Sequence, residues 1–366
     1  MNEATVDSAI TSLNGFRAER ERWERLYRAD AHSHVFLSWS WLYAYLSTSS
    51  PGWTIVVLRD GDELVAALPL RRSAVPSRFL PIARQITFAS TPYGDYQGML
   101  CRPESEHVAL RGFERALLAM RWERASFPDV VDARFVRLLD TLRGDVAAVE
   151  LTGMTRSPRV DLPPTWDEFA RTLGSGTRAT TTRCVPRLAR DVAEFRVTTP
   201  SEGDADAHID AIVRLRHVRW GGNLATARAT YGRLYRAAYD AGCLRAIVMW
   251  DGTRPIAGSA SFVDPVHGTY NLYQLSYDKA YARYSPGKGV VGLAIRDAIE
   301  HGFRVFDFLR GDEPYKSLYA PGAWTTSHHR VTRRSVRSSL FGAVNPAYRT
   351  LKGAAVRVVY GPGRRI

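Results

Sequence analysis

Hydrophobic positions recur along this chain at the spacings of short strands and amphipathic helices. In the first half, helix patterns cover residues 21–46 and 108–120, and two strands meet at an Asp60-Gly61 turn, which is typical of a hairpin. Residues 143–164 hold three prolines and two glycines between strand-like pieces. Such a composition predicts a segment that links two domains.

The second half has a more regular pattern. Helix patterns over residues 207–220 and 231–241 precede three strands, at 244–250, 254–263 and 267–278, and tight turns predict that these strands are antiparallel. A glycine-containing loop, a helix and a buried strand follow. Because a helix lies between the third strand and this last one, the two should run parallel or splay apart. The order of elements predicts an α+β fold with mixed, mostly antiparallel sheets flanked by helices.

Length and composition narrow the class of protein. At 366 residues the chain is long for one core, so two domains are expected. An apolar fraction of 45% with 11% aromatic residues is that of a folded globular protein. No apolar run approaches the roughly 18 residues that a membrane span needs. The polar N-terminus has no secretory signal, so we expect a cytoplasmic protein without a transmembrane segment.

The cysteines indicate neither a disulfide framework nor a metal site. Cys101, Cys184 and Cys243 are an odd number, lie far apart and have no metal-binding spacing. We interpret them as passive thiols, with a nucleophilic role for one of them as the alternative, and expect no metal.

Positive charge is concentrated towards the C-terminus. The net charge is +13, and after Glu313 there is no acidic residue but ten lysines or arginines. This asymmetry suggests an anionic partner: a CoA phosphate, an acidic acyl carrier protein, tRNA or a membrane surface. A solvated tail that improves solubility is the alternative, because a run of charge alone does not identify a partner.

One stretch, from Tyr284 to Lys316, combines glycines and polar residues with apolar elements. It begins Y-S-P-G-K-G-V-V-G-L, continues as a helix to His301, and ends R-V-F-D-F-L-R-G-D-E-P-Y-K. Such a loop presents backbone N–H groups and the positive end of a helix dipole, both of which favour a phosphate or pyrophosphate. The alternative is an ordinary helix start at Ser285 and Pro286 without a ligand.

This stretch closely resembles GNAT-superfamily acetyltransferases of the CelD/BcsL-like group, which is associated with bacterial cellulose biosynthesis and is related in architecture to the tandem-GNAT Fem peptidyltransferases. The likeness extends to F-L-S-W-S-W-L, W-T-I-V-V-L, G-D-Y-Q-G and R-H-V-R-W-G. It implies two tandem GNAT-like halves, residues 21–150 and 151–330, followed by a basic tail, 331–366. The chain departs from the family at R-A-T-T-T-R-C, where the family is arginine-dense, and in the sequence S-P-G-K-G of the donor loop.

The resemblance implies acyl-CoA, such as acetyl-CoA, or an acyl carrier protein as the donor, bound mainly by the second half. Side chains alternate along a strand, so Leu275 should share a face with Tyr273 and Tyr277, and only one face of the third strand can meet the donor. The residues that we assign to the donor are Gln274, Leu275, Ser276, Ser285, Pro286, Gly287, Lys288, Gly289 and Val290.

Acyl transfer needs a base for the acceptor and stabilisation of the oxyanion and the leaving thiolate. Asp307, Asp312 and Asp278 are our candidates for the base, Tyr315 for the acid that protonates the thiolate, and Lys316 for contact with the oxyanion or an acceptor carboxylate. Asp307 lies in an apolar strand, where a carboxylate needs a partner, so a purely structural role is its alternative.

Six residues are candidates for the acceptor site: Asp95, Tyr96, His217, Arg219, Trp220 and Tyr273. An ordinary turn is the alternative for the first two, and a capping or packed histidine for His217. The expected function is transfer of an acyl group to an amine or hydroxyl of a small molecule or peptide.

Two other functions are alternatives. A Fem-like aminoacyl-tRNA-dependent ligase is less favoured, because no heptad pattern for a tRNA-binding coiled coil occurs. A non-enzymatic, degenerate GNAT that binds an acidic partner is the other, but its donor loop should be lost, and here the loop is intact.

Overall fold

The computed structural model describes residues 8–77, 80–144, 146–335 and 338. Its strands are β1 (Ser8–Ile10), β2 (Trp53–Asp60), β3 (Glu63–Ser77), β4 (Leu80–Phe88), β5 (Leu100–Cys101), β6 (Arg124–Val130), β7 (Ala147–Asp161), β8 (Phe195–Thr198), β9 (Leu244–Asp251), β10 (Arg254–Asp264), β11 (Thr269–Tyr277), β12 (Val305–Asp307) and β13 (Gly322–Arg333). Its α-helices are α1 (Leu13–Ala18), α2 (Arg20–Ala29), α3 (Trp39–Thr48), α4 (Glu106–Ala119), α5 (Ala133–Thr141), α6 (Trp166–Thr172), α7 (Ser175–Asp191), α8 (Ala205–Trp220), α9 (Leu224–Ala227), α10 (Arg233–Asp240) and α11 (Pro286–Glu300). Short 3-10 segments cover Val35–Leu37, Pro103–Ser105, Lys279–Tyr284 and Lys316–Leu318, and a π-helical turn covers Arg228–Gly232.

The described residues form two compact units. The first is built from residues within Met1–Gly15, Pro51–Met154 and Ser327–Ile366, and the second from Phe16–Ser50 and Thr155–Thr326. Strands β7 and β13 pass from one unit into the other, so each unit contains part of both.

The first unit is a mostly antiparallel sheet with flanking helices. Strands β1, β2, β3 and β4 are antiparallel neighbours in that order, while β6 pairs with β4 in parallel and with β13 in antiparallel orientation. Helix α4 lies between the parallel strands β4 and β6 in the chain, as a crossover requires. Phe113 of α4 and Phe135 of α5 are buried in the same core as Phe88 and Phe127 of the sheet.

The second unit repeats this arrangement. Strands β8, β9, β10 and β11 are antiparallel neighbours, and β12 pairs with β11 in parallel and with β7 in antiparallel orientation. Helices α8 and α11 cover opposite faces of the sheet, because Gly258 of β10 lies against Ile212 of α8 whereas Met249 of β9 lies against Gly289 of α11. Each unit thus has a mixed, mostly antiparallel sheet with flanking helices, and the predicted fold class is confirmed.

Residues 21–50 lie in the second unit, although the sequence predicts them in the first half. The reason is aromatic packing: the ring of Trp41 in α3 lies 5.9 Å from that of Phe262 in β10, and the ring of Phe36 lies 6.2 Å from it. The predicted basic tail begins with the last residues of β13, and its residues 336, 337 and 339–366 lie outside the described residues.

Helix α7 continues through Pro186. A proline inside a helix lacks the N–H that would bond to the carbonyl four residues earlier, here that of Thr182. Both residues are exposed, so water can reach the carbonyl that has lost its donor.

Two glycines let α7 and α11 approach closely. A Cβ at Gly289 would lie 2.4 Å from Sγ of Cys184, and a Cβ at Gly292 would lie 2.4 Å from Cγ2 of Thr181. The later residue of α11 meets the earlier residue of α7, so the helices run in opposite directions. The end of α7 therefore lies beside the start of α11.

We expect Gly289→Ala to lower the free energy of unfolding by about 1–3 kcal/mol, because the added methyl group overfills this helix contact. Denaturant unfolding measures the change. Gly176→Ala in α7 is the matched control: a Cβ added there would have no atom within 4 Å, so replacing a helical glycine should stabilise by up to about 1 kcal/mol. The overpacking explanation is wrong if Cys184→Ala, which removes the clashing sulfur, fails to reduce the effect of Gly289→Ala.

Candidate functional site

A cavity of about 270 Å³ lies in the second unit between the end of β11 and the start of α11. Six of the eight residues that line it are site residues predicted from the sequence: Leu275, Ser285, Gly287, Lys288, Tyr315 and Arg219. The other two are Tyr277 and Ala282. The structure thus brings together donor, catalytic and acceptor candidates that are up to 96 positions apart, from Arg219 to Tyr315.

The cavity exists because β11 and β12 separate. Their parallel pairing ends at Asn271 and Asp307. On the other side of β11, the register with β10 shifts between Leu272 and Gln274, so Tyr273 is a β-bulge. Past the bulge, the carbonyl of Leu275 accepts a hydrogen bond from a guanidinium N–H of Arg219 at 2.6 Å instead of from a strand.

The bulge also corrects the predicted alternation of β11. The ring of Tyr273 packs 4.7 Å from that of Phe262, and the side chain of Gln274 accepts from the hydroxyl of Tyr235 and donates to the carbonyl of Ile212. These two neighbours therefore face the same side, that of α8, and Tyr273 does not share the face of Leu275. Ser276 is fully buried, and its hydroxyl has no partner among the described residues.

The start of α11 differs from an ordinary capped helix. Ser285 has a left-handed backbone, with φ of 55° and ψ of 49°, and its side chain makes no capping hydrogen bond. For a residue other than glycine this conformation is strained, and such strain is found at functional sites. The hydroxyl of Ser285 is consequently available to the cavity.

The backbone N–H groups at this helix start are not equivalent. The amides of Lys288 and Gly289 donate to the carbonyl of Ser285 at 3.0 and 3.2 Å, and Pro286 has no N–H. The amide of Gly287 is therefore the first-turn donor left for a ligand. Gly289 and Val290 are buried in the contact of α11 with α7 and the sheet, so their predicted donor contact is not to the cavity.

Electrostatically, the cavity is basic, and the phenol of Tyr315 lies in its lining. Lys288 and Arg219 line it, and neither makes an ion pair in the part of the chain that the structure describes. Burial raises the pKa of Tyr315 above its ordinary value, the charge of Glu313 adds to this, and Arg219 opposes it. Tyr315 is therefore protonated at neutral pH and is able to donate a proton.

Lys316, a predicted catalytic residue, stabilises the loop that follows β12. Its ammonium group contacts the carboxylate of Glu313 at 2.8 Å and the carbonyls of Leu309, Arg310 and Gly311 at 3.3, 2.8 and 3.3 Å. Only 4% of the residue is exposed, and it does not line the cavity. For Glu313, burial acts to raise the pKa, but the hydrogen bond and charge of Lys316 outweigh it and hold that pKa below its ordinary value.

The three candidate bases lie outside the cavity lining. Asp307 is buried and accepts the N–H of Leu309, which itself has a left-handed backbone. Asp278 accepts the N–H of Ala280 and forms an ion pair with Arg254 at 2.6 Å. Asp312 is exposed in the loop that precedes Tyr315. The carboxylates of Asp307 and Asp278 thus stabilise turns.

The remaining acceptor candidates do not line this cavity either. Trp220 is 52% exposed and lies under the guanidinium of Arg219, which is 4.4 Å from its ring centroid. His217 is half-buried one turn earlier in α8. Asp95 and Tyr96 belong to the first unit, where both are buried.

Tyr277 and Ala282 are the lining residues that the sequence does not single out for this site. The ring of Tyr277 lies against Gly287, since a Cβ there would be 3.0 Å from it. Tyr277 lies two residues after Leu275 in β11, and this spacing predicts that the two side chains share a face. Strict alternation would place Tyr273 on that face as well, but the bulge turns Tyr273 to the other face.

Metal-binding and thiol groups add nothing to the site. Within residues 8–335, apart from the undescribed gaps, no group of three or more His, Cys, Asp or Glu side chains is arranged to hold a metal ion. Burial raises the pKa of Cys184 to about 11 and that of Cys243 to about 12, so both are protonated thiols at neutral pH. Among the described helices none is long and apolar enough to cross a membrane.

Comparisons with known proteins agree with the predicted fold. Residues 175–317 match the family model of the acetyltransferase (GNAT) domain, and no curated protein sequence matches the chain. FemX superposes with a TM-score of 0.61 at 10% identity, covering 92% of this chain and 100% of FemX. L-PGS from Bacillus licheniformis superposes with a TM-score of 0.52 at 10% identity, covering 88% and 94%. A conserved protein of unknown function from Bacteroides thetaiotaomicron gives 0.55 at 11% identity, covering 88% and 98%. At such identities these structures establish a shared fold.

We expect Lys316→Met to lower the free energy of unfolding by roughly 2 kcal/mol, because three loop carbonyls and Glu313 lose a charged donor. Lys288→Met is the control: its side chain has no ion pair to lose within the described residues, so the change should be within about 0.5 kcal/mol. Denaturant unfolding of both variants measures the difference. Equal stability of the two variants would show that Lys316 does not hold the loop.

Proposed function

We propose, from the match of residues 175–317 to the GNAT acetyltransferase domain, that this protein is an acyltransferase. It would move an acyl group from a CoA or carrier-protein thioester to an amine or hydroxyl of a small molecule or peptide. The observation that carries this proposal is the cavity that joins the first turn of α11 to the end of β11, where β11 no longer pairs with β12.

The residues at one end of this cavity fit the phosphate of such a donor. Ser285, Gly287 and Lys288 line the cavity at the positive end of the α11 dipole, and they carry a hydroxyl, a backbone amide and an ammonium group. Anions are stabilised at such a helix start, and the left-handed Ser285 keeps its hydroxyl out of the helix cap. These three groups would hold the phosphate.

Leu275 and the ring of Tyr277, which also line the cavity, offer the apolar surface that a pantetheine arm needs. Gly287 lets this ring pack against the start of α11, because a Cβ at this position would lie 3.0 Å from the Tyr277 ring. A bound thioester donor supplies an activated acyl carbon and a thiolate leaving group.

Two side chains of the cavity suit the charge changes of acyl transfer. Arg219 uses one guanidinium N–H on the carbonyl of Leu275, and guanidinium has further donors that can stabilise a developing oxyanion. Tyr315, protonated at neutral pH, would donate its proton to the departing sulfur. For the proton lost by the acceptor we propose Asp312, the exposed candidate in the loop that carries Tyr315.

Similarity to FemX favours a second candidate, a Fem-like ligase that takes its acyl group from aminoacyl-tRNA. Binding of tRNA would show itself by a steep dependence on salt, because phosphate contacts release counterions. Membership of the narrower CelD/BcsL-like group and a cytoplasmic location stay predictions from the sequence.

Gly287→Val should weaken binding of acetyl-CoA at least tenfold, because the added side chain would displace the Tyr277 ring that lines the cavity and crowd the phosphate end. Calorimetric titration measures the dissociation constant, and thermal unfolding checks that the fold persists. Gly203→Val is the control, since no atom lies within 4 Å of the added Cβ. Unchanged affinity in Gly287→Val would place the donor elsewhere.

Tyr315→Phe should reduce kcat about 100-fold with little change in KM for the donor, since only the proton donor to the thiolate is removed. Its raised pKa predicts that the hydroxyl stays protonated, so wild-type kcat should not fall through ionisation of Tyr315 below a pH of about 10. Steady-state rates of wild type and variant against pH measure both effects. A variant with wild-type kcat would exclude this role.

A further inference from the structure

A row of arginines lines the solvent side of α7, next to the proposed donor site. It comprises Arg183, Arg187 and Arg190, all exposed. At 100° per residue these positions fall within about 60° of one another, on a different side of the helix from the buried Thr181, Cys184 and Leu188. The last arginine is seven positions after the first, so the row is about 10 Å long. We call it the arginine row.

The row reaches the segment that leads into α11. The ring of Tyr284, which directly precedes Ser285 in the chain, lies 5.7 Å from the guanidinium of Arg187 and 4.7 Å from that of Arg283. Arg283 also donates to the hydroxyl of Tyr284 at 2.7 Å. Two guanidinium groups thus lie against one aromatic ring beside the phosphate end of the cavity.

These charges are incompletely compensated. None of Arg183, Arg187 and Arg283 makes an ion pair within the described part of the chain. Asp191 contacts Arg190 at 2.7 Å, and its carboxylate also interacts with Tyr284 and with the charge of Arg187, so one carboxylate faces several guanidinium groups. Arginines on other helices of the same unit do have carboxylate partners one turn away, as in Arg20–Glu24, Arg214–Asp210 and Arg236–Asp240. The described residues around Tyr284 therefore leave an excess of positive charge.

We propose that the arginine row, with Arg283, is a docking surface for an acidic helix of an acyl carrier protein. This inference rests on the proposed function, because a partner held beside an acyl-donor cavity is one that can deliver the acyl group into it. Cations spaced about one helical turn apart match carboxylates spaced similarly on a facing helix. A single nucleotide phosphate would engage one or two of these arginines rather than a row about 10 Å long.

The experiment compares charge reversal on and off the row. Arg183→Glu with Arg187→Glu should weaken binding of a holo acyl carrier protein at least tenfold, whereas CoA binding should change less than twofold. Fluorescence anisotropy of the labelled carrier protein and calorimetry with CoA measure the two affinities. Arg171→Glu with Arg178→Glu is the matched control: it changes the net charge equally, but Arg171 lies on α6 and Arg178 points away from the row. Arg183→Lys with Arg187→Lys should retain carrier binding.

The outcomes separate this inference from the proposed function. If CoA binds the wild type but the holo carrier protein does not, the docking surface is wrong and the acyltransferase proposal stands. If the row variant loses CoA affinity as strongly as carrier affinity, the row is a nucleotide subsite and the docking proposal is wrong. Binding of bulk tRNA at the row, without carrier binding, would also overturn it. Failure of both CoA and carrier protein to bind would overturn both proposals.

Discussion

The candidate site depends on the separation of two strands that begin as neighbours. β11 and β12 pair only as far as Asn271 and Asp307, and the bulge at Tyr273 then redirects β11. A buried carbonyl without a donor costs about 1–3 kcal/mol, and Leu275 is 7% exposed at this point. Arg219 supplies the missing hydrogen bond from α8, so the strand edge stays open at little energetic cost. Arg219 also lines the cavity, so the residue that satisfies the carbonyl of Leu275 is also available for the chemistry of the site.

The loop after β12 shows how neighbouring polar residues divide their roles. Asp307 accepts the N–H of Leu309 and so stabilises the left-handed turn there. Lys316 donates hydrogen bonds to the carbonyls of Leu309 and the two residues that follow it. The carboxylate of Asp307 and the ammonium group of Lys316 are therefore engaged in structural contacts, although the sequence predicts both as catalytic groups. What they produce is a fixed position for Tyr315, whose hydroxyl is the ionisable group of this loop that lines the cavity.

Much of the fold could be predicted because its signals are local. Hydrophobic periodicity and tight turns identify β9, β10 and β11, and the glycine loop marks the start of α11. The donor side of the site follows, since Ser285, Gly287 and Lys288 are adjacent in the chain. The bulge at Tyr273 carries no composition signal, and it decides which face Gln274 occupies. The placement of residues 16–50 depends on aromatic contacts with β10 over more than 200 positions, which periodicity does not encode.

Interactions within α7 account for only some of the arginines on its exposed surface. Cations in the last turn of a helix are stabilised by its dipole, and this accounts for Arg190, which also has Asp191 beside it. Arg183 lies two turns before the helix end, where that effect has faded, and no carboxylate within the described residues balances it. Arg283 lies on a different element, and the ring of Tyr284 brings it beside Arg187. The close packing of α7 on α11 at two glycines places these arginines near the donor site, because it puts the end of α7 beside the start of α11. Packing in the core thus determines where an anionic partner would meet the surface.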